Sequence, residues 1–163
     1  MRMKNKVVLI SGGARGMGAV QAKMLAKEGA SVVIGDILLE EGLEVATNIN
    51  SSGGQAKFLY LDVTKADSWQ YAITETLAVF KKLDVLINNA SVFYPTILGE
   101  VSEKQWDELM HVNLKAPFFL AQEIGMGGRK VSSLSALAPL KPWGGGGSVQ
   151  VHTLRDTVLC ITP

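Results

Sequence analysis

The stretch Ser11–Gly18, SGGARGMG, restricts this chain more than any other feature. It follows a short apolar run, Val7–Ile10, and leads straight into residues with helical spacing. A strand that turns into a helix through Gly12, Gly16 and Gly18 demands backbone that passes where a side chain would not fit. The rest of the chain repeats the strand-then-helix order. Ser31–Ile34, Phe58–Leu61 and Asp84–Ile87 read as apolar strands, and Arg129–Ser135 is a candidate fifth. Between them Ala19–Glu28, Glu40–Ile49 and Asp67–Phe80 read as helices. A long helix should begin after Ser102, an N-cap with Gln105 at the capping-box position, and run through Trp106, Leu109 and Met110 to Leu120. Gly29 is a natural helix stop. Spacing puts Val20, Met24 and Leu25 on one face of the first helix, and Trp69, Ile73, Leu77 and Phe80 on the inner side of the third. Strands apolar on both faces that alternate with helices imply an α/β fold, a doubly wound parallel sheet.

The glycine turn also has a chemical reading. A side chain at Gly12 would crowd the turn, and one at Gly16 would block a pyrophosphate approaching the helix N-terminus. Gly18 would let helix and strand pack closely. Asp36 ends the second strand, about 20 residues on, where a carboxylate can accept hydrogen bonds from both hydroxyls of an adenosine ribose. It would repel a 2′-phosphate, so NAD is expected over NADP; Arg15, in the loop, softens that preference. The rival reading is a tight turn without ligand, with Asp36 a solvated turn residue.

Four separated segments resemble the short-chain dehydrogenase/reductase family. SGGARGMG is similar to its Thr-Gly-x-x-x-Gly-x-Gly turn, with Ser11 for threonine. Leu61–Val63 resembles its segment beside the adenine, and Ile87–Ser91, INNAS, its Asn-Asn-Ala-Gly element with Ser91 for glycine. Asn113, in HVNLKAPFFLAQ, matches its helix asparagine. The resemblance covers residues 4 to 123, has pteridine-reductase-like features in the middle, and implies a Rossmann-like sheet ordered 3-2-1-4-5. It implies that Gly12, Arg15, Gly16, Met17 and Gly18 hold the dinucleotide phosphates, with Asp36 at the ribose. Asp62 and Val63 would contact adenine, Asn88 would brace the sheet, and Asn89 and Ala90 would lie on the nicotinamide side. Asn113 would support a water-linked proton path. The implied activity is hydride transfer between a nicotinamide and an alcohol or carbonyl.

The later part departs from the family pattern. Its chemistry uses a serine, a tyrosine and a lysine, because tyrosine is too weak an acid near neutrality without a positive neighbour. Tyr60, Tyr71 and Tyr94 have Thr64, Glu75 and Leu98 four residues on, and the last lysine is Lys141. Alignment on KVSSLSALAPLKPW puts Ser135, a weak candidate for the serine, just before Ala136, with Val149 and Thr153 where tyrosine and lysine belong. His152 reads as a residue of an irregular tail, and His111 as packing or surface. The family pattern continues with a subunit-pairing helix, two strands and a substrate lid, which SVQVHTLRDTVLCITP does not resemble. Residues 1–143 are therefore read as the dinucleotide-binding domain, and 144–163 as a glycine-rich linker and divergent tail. The expectation is an impaired oxidoreductase. Its rivals are a non-catalytic dinucleotide-binding module and a truncated or frameshifted product of a full-length reductase.

Bulk composition narrows the partners. A net charge of +1 over 163 residues makes no electrostatic case for nucleic acid or an anionic membrane. One cysteine, Cys160, excludes an internal disulfide and fits a cytoplasmic setting. Two distant histidines give no metal motif. Loss of the family's last strands would leave an open sheet edge, so self-association or a homo-oligomer is expected.

Overall fold

The computed structural model describes residues 1–95, 100–126 and 132–135. Its strands are β1 (Val7–Ser11), β2 (Ser31–Asp36), β3 (Gln55–Tyr60), β4 (Val85–Asn88) and β5 (Ser132–Ser135). Its helices are α1 (Gly16–Lys27), α2 (Leu39–Ser51), α3 (Ala66–Phe80), α4 (Glu103–Met110) and α5 (Ala116–Met126). The strands form one parallel sheet ordered β3-β2-β1-β4-β5, with Leu9 level with Val33 and Leu86. The fold is the expected Rossmann-like one.

Alternation along each strand divides the core in two. Val8, Ile10, Val32, Ile34 and Ile87 pack under α1 and α2. Val7, Leu9, Val33, Leu59 and Leu86 pack under α3 and α5, against Trp69, Ile73, Leu120 and Ile124. Each large side chain removed from water contributes about 1.5–3 kcal/mol. Both layers are needed, because a parallel strand buried on one face only would leave its other apolar row in solvent.

Several expectations need correction. Val20 and Met24 are not core residues: they are 55% and 63% exposed. α1 meets the sheet through Ala19, Ala22 and Ala26 instead. The reason is distance: a Cβ on Gly18 would lie 2.1 Å from the Gly12 carbonyl oxygen, so α1 starts hard against the turn and only small residues fit beneath it. α1 also starts at Gly16, not Ala19. β3 begins at Gln55, three residues before the apolar run, because its polar start pairs in register with Ser31–Val33. The long helix contains a π-helical turn, His111–Lys115, between α4 and α5. Its start does follow the expected capping box: the Ser102 hydroxyl accepts from the Gln105 N–H, and the Gln105 side chain accepts from the Ser102 N–H.

At the amino ends of the strands Asp84 ties the sheet to the chain start. Its carboxylate accepts the Val7 N–H at 2.8 Å and pairs with Lys82 at 3.1 Å and Lys6 at 3.7 Å. Partial burial alone would raise its pKa; the Val7 and Lys82 hydrogen bonds and the two lysine charges outweigh that and hold it below the usual carboxylate range.

Candidate functional site

The turn after β1 and the carboxyl ends of β2, β3 and β4 enclose a groove of about 600 Å³. This is where an open parallel sheet binds ligands, because the first strand's crossovers leave in opposite directions there. Gly12, Arg15, Gly16 and Met17 form one wall, Asp36, Ile37 and Leu38 the second, and Tyr60 to Thr64 the third. Asn89 to Val92, with Glu108 and Val112, close the far end. The structure thus gathers the expected cofactor residues into one place; Gly18 lies just behind the wall, within α1.

The glycines are needed for stated reasons. Gly12 has φ +69°, and a Cβ there would lie 2.7 Å from the Ala90 Cα. Gly16 has φ +55° and open space where its Cβ would point, which leaves room for a ligand. Arg15 caps α1 without a side-chain hydrogen bond, so no capping oxygen occupies the helix entry. Backbone N–H groups and the positive end of the helix dipole therefore face the groove, the arrangement that suits a pyrophosphate.

Asp36 is buried, 8% exposed, at the lip of the groove. One carboxylate oxygen accepts the Ala14 N–H at 2.9 Å and the other the Leu38 N–H at 3.1 Å. A carboxylate offers about four acceptor positions, so roughly half remain for a diol. Asp62 is engaged differently. It accepts the Thr64 hydroxyl and N–H and pairs with Lys65 at 3.2 Å. Burial pushes its pKa up, but these three contacts together hold it low.

The β4 end is tied to the glycine turn by Ser11, which sequence reading noted only as a motif residue, and by Asn89, which it placed on the nicotinamide side. The Ser11 hydroxyl accepts both the Asn89 and Ala90 N–H groups at 3.2 Å. The Asn89 side chain donates to the carbonyls of Ser11 and Gly12, the latter at 2.8 Å. Asn89 thus braces the turn, while Asn88 is buried in β4. Asn113 lies in the π turn, and its amide grips the Val92 backbone twice, accepting the N–H and donating to the carbonyl, both at 2.9 Å. Tyr94 bonds to Glu108, and that bond is the main cause raising its pKa above the ordinary tyrosine value. Two contacts therefore fasten the loop after β4 to the long helix. Apolar spacing carries no signal for them, but the rule that ligands sit beyond strand carboxyl ends points to Ser11, Ile37 and Tyr60.

Ser135 ends β5 in register with Asn88. Ala136, Val149, His152, Thr153 and the whole 144–163 tail lie outside the described residues. Among the described residues no cluster of ligating side chains could hold a metal, and no helix is long and apolar enough to cross a membrane.

The fold agrees with the comparisons. Residues 6–126 match the family profile described as short chain dehydrogenase, and the chain belongs to that family. It is 38% identical over 152 residues to the 2,5-dichloro-2,5-cyclohexadiene-1,4-diol dehydrogenase LinX of Sphingobium indicum, an alignment that takes in 90% of this chain and 61% of that enzyme. It is 35% identical over 162 residues to a 3-alpha-(or 20-beta)-hydroxysteroid dehydrogenase of Mycobacterium bovis, covering 98% of this chain and 56% of that one. The latter alignment extends past Met126, where the family profile ends. Among solved structures, a 3-ketoacyl-(acyl-carrier-protein) reductase from Brucella melitensis complexed with NADH matches with a TM-score of 0.73 and 28% identity, over 82% of this chain and 57% of that one. The chain spans about half to three fifths of the length of these relatives.

Proposed function

We propose that this chain binds NAD in the groove, adenosine ribose on Asp36 and nicotinamide toward Ala90, as the cofactor-binding part of an alcohol or carbonyl oxidoreductase. The observation that carries the reading is Asp36: a buried carboxylate at the lip, held by Ala14 and Leu38 and facing a ligand-sized space. A 2′-phosphate there would meet a like charge in a partly desolvated setting, which favours NAD over NADP. Bound NAD supplies a hydride acceptor, and NADH a donor, for a substrate carbon. The residues of this chain orient it: α1 and the glycine turn take the phosphates, Asp62 and Val63 flank the adenine, and Asn89 keeps the turn in place. Arg15 and Met17 border the phosphate side.

Proton transfer has no comparable set. With Tyr-x-x-x-Lys absent from the sequence, residues 1–163 are expected to turn over little or no alcohol. That absence favours a second reading, a non-catalytic dinucleotide-binding module.

Calorimetric titration with NADH and NADPH tests the binding claim. Saturable binding that favours NADH, with the preference lost in Asp36→Ala, is the expected result. Equal binding of both by the unaltered chain would refute Asp36 as the selector. Clear dehydrogenase turnover on a panel of alcohols would refute the missing acid.

A further inference from the structure

At the amino ends of β2 and β3, opposite the cofactor groove, the last turns of α1 and α2 and the loop 52–54 enclose a cleft of about 750 Å³. That volume falls within the range of small-molecule sites, about 300–1,000 Å³. The cleft shares no lining residue with the groove. Ala26 and Ile49 are buried and give it an apolar floor. A Cβ on Gly54 would lie 2.8 Å from the Ile49 Cγ2, so glycine lets the loop lie close against that floor. Gly53, with φ +83°, has open space where its Cβ would point.

The rim is polar and carries one sign of charge. Lys23 and Lys27 stand one turn apart on α1 and line the cleft with Asn48 and Ser51, and no carboxylate belongs to the lining. Neither lysine joins an ion pair among the described residues, and Glu28, next in sequence, pairs with Arg2. Like charges at this spacing repel, and an anion between them would relieve that repulsion. The N–H groups of Ser52, Gly53 and Gly54 are spent on the last carbonyls of α2, so side chains must grip any ligand. Asn50 and Ser52 use theirs on the Ala56 backbone and the Asn48 carbonyl. Those of Asn48 and Ser51 make no hydrogen bond among the described residues. Two cations one turn apart suit a dianion, and the floor suits an apolar body.

We infer that this cleft is a second ligand site, for an organic phosphate monoester: phosphate between Lys23 and Lys27, apolar body on Ala26 and Ile49. It lies at the opposite strand ends from the groove, so the inference stands independently of the NAD reading.

Titration of the ¹⁵N-labelled 163-residue chain with phenyl phosphate, inorganic phosphate and benzyl alcohol tests it. Phenyl phosphate should saturate and shift the Gly53 and Gly54 amides, not those of Gly12 and Gly16. It should bind more tightly than the other two, since each of those offers half of the match. Lys23→Gln and Lys27→Gln, shown folded by circular dichroism, should each weaken it about fivefold, and Lys104→Gln on α4 should leave it unchanged. If the lysines only offset the negative end of the α2 dipole, both variants melt lower and phenyl phosphate shifts neither glycine amide. That result, shifts confined to the glycine turn, equal binding of inorganic phosphate, or affinity indifferent to both lysine substitutions would each overturn the proposal.

Discussion

The helix that leaves the glycine turn and the helices on the opposite face of the sheet are built to opposite specifications. Under α1 the packing residues are small, Ala19, Ala22 and Ala26, whereas its neighbour α2 adds Val45, Ala46 and Ile49. Under α3 and α5 they are large: Trp69, Ile73, Leu120 and Ile124. The difference follows from what each layer does. α1 must bring its first N–H groups to the end of β1, which requires close approach; α3 and α5 only need to cover the sheet, so volume is free to rise. α1 trades apolar area for position, and α3 and α5 cover the sheet with larger side chains.

Changes that reverse these specifications should be the most harmful. Leu120→Ala empties a fully buried site in the large-residue layer, and about 3 kcal/mol of stability should be lost in urea unfolding. NADH affinity of the folded fraction should change little. Ala22→Leu overfills the small-residue contact under α1, where Ala22 is fully buried, and should cost about 1–3 kcal/mol. It should also displace α1, so NADH binding should weaken by more than the melting shift explains. If Ala22→Leu melts lower yet binds NADH normally, the positional role of α1 is wrong.

A smaller effect concerns the strand ends opposite the groove. The Asp84 carboxyl is held low by Val7, Lys82 and Lys6. Its folded pKa therefore lies below the unfolded value, about 3.9. Its stabilising contribution is complete above that value and disappears as pH falls through the lower folded pKa. Asp84→Asn should cost about 1 kcal/mol at pH 7, and the gap from the unaltered chain should close in acid. A gap independent of pH would show that charge is not what Asp84 contributes. Smallest of all, Val20→Lys and Met24→Lys should shift stability by less than about 0.5 kcal/mol, since both positions are exposed. A larger loss would place them in a contact beyond the described residues.

Much of the architecture was legible from residue order. The apolar runs at Val7, Ser31 and Asp84 announced parallel strands, and Gly12, Gly16 and Gly18 placed the turn. The place of Asp36 at the lip of the groove was legible because it ends a strand at the expected distance from that turn. The inner face of α1 was not. Val20 and Met24 carry more apolar surface than alanine, yet alanines fit the narrow gap. Nor was the π turn, since inserting one residue's worth of slack leaves the apolar spacing of a long helix almost unchanged.

The sequence by itself determined the alternation of strands and helices, the glycine turn, Asp36, and the absence of Tyr-x-x-x-Lys, because each is a local pattern of residue types. Only the tertiary structure decided that Asn89 and Ser11 lock the turn to β4, that Asn113 grips Val92, and that Trp106 and Leu114 face outward. These depend on the separation and rotation of elements far apart in the chain. Packing volume and backbone hydrogen bonding set those quantities, and neither is written in the spacing of apolar residues.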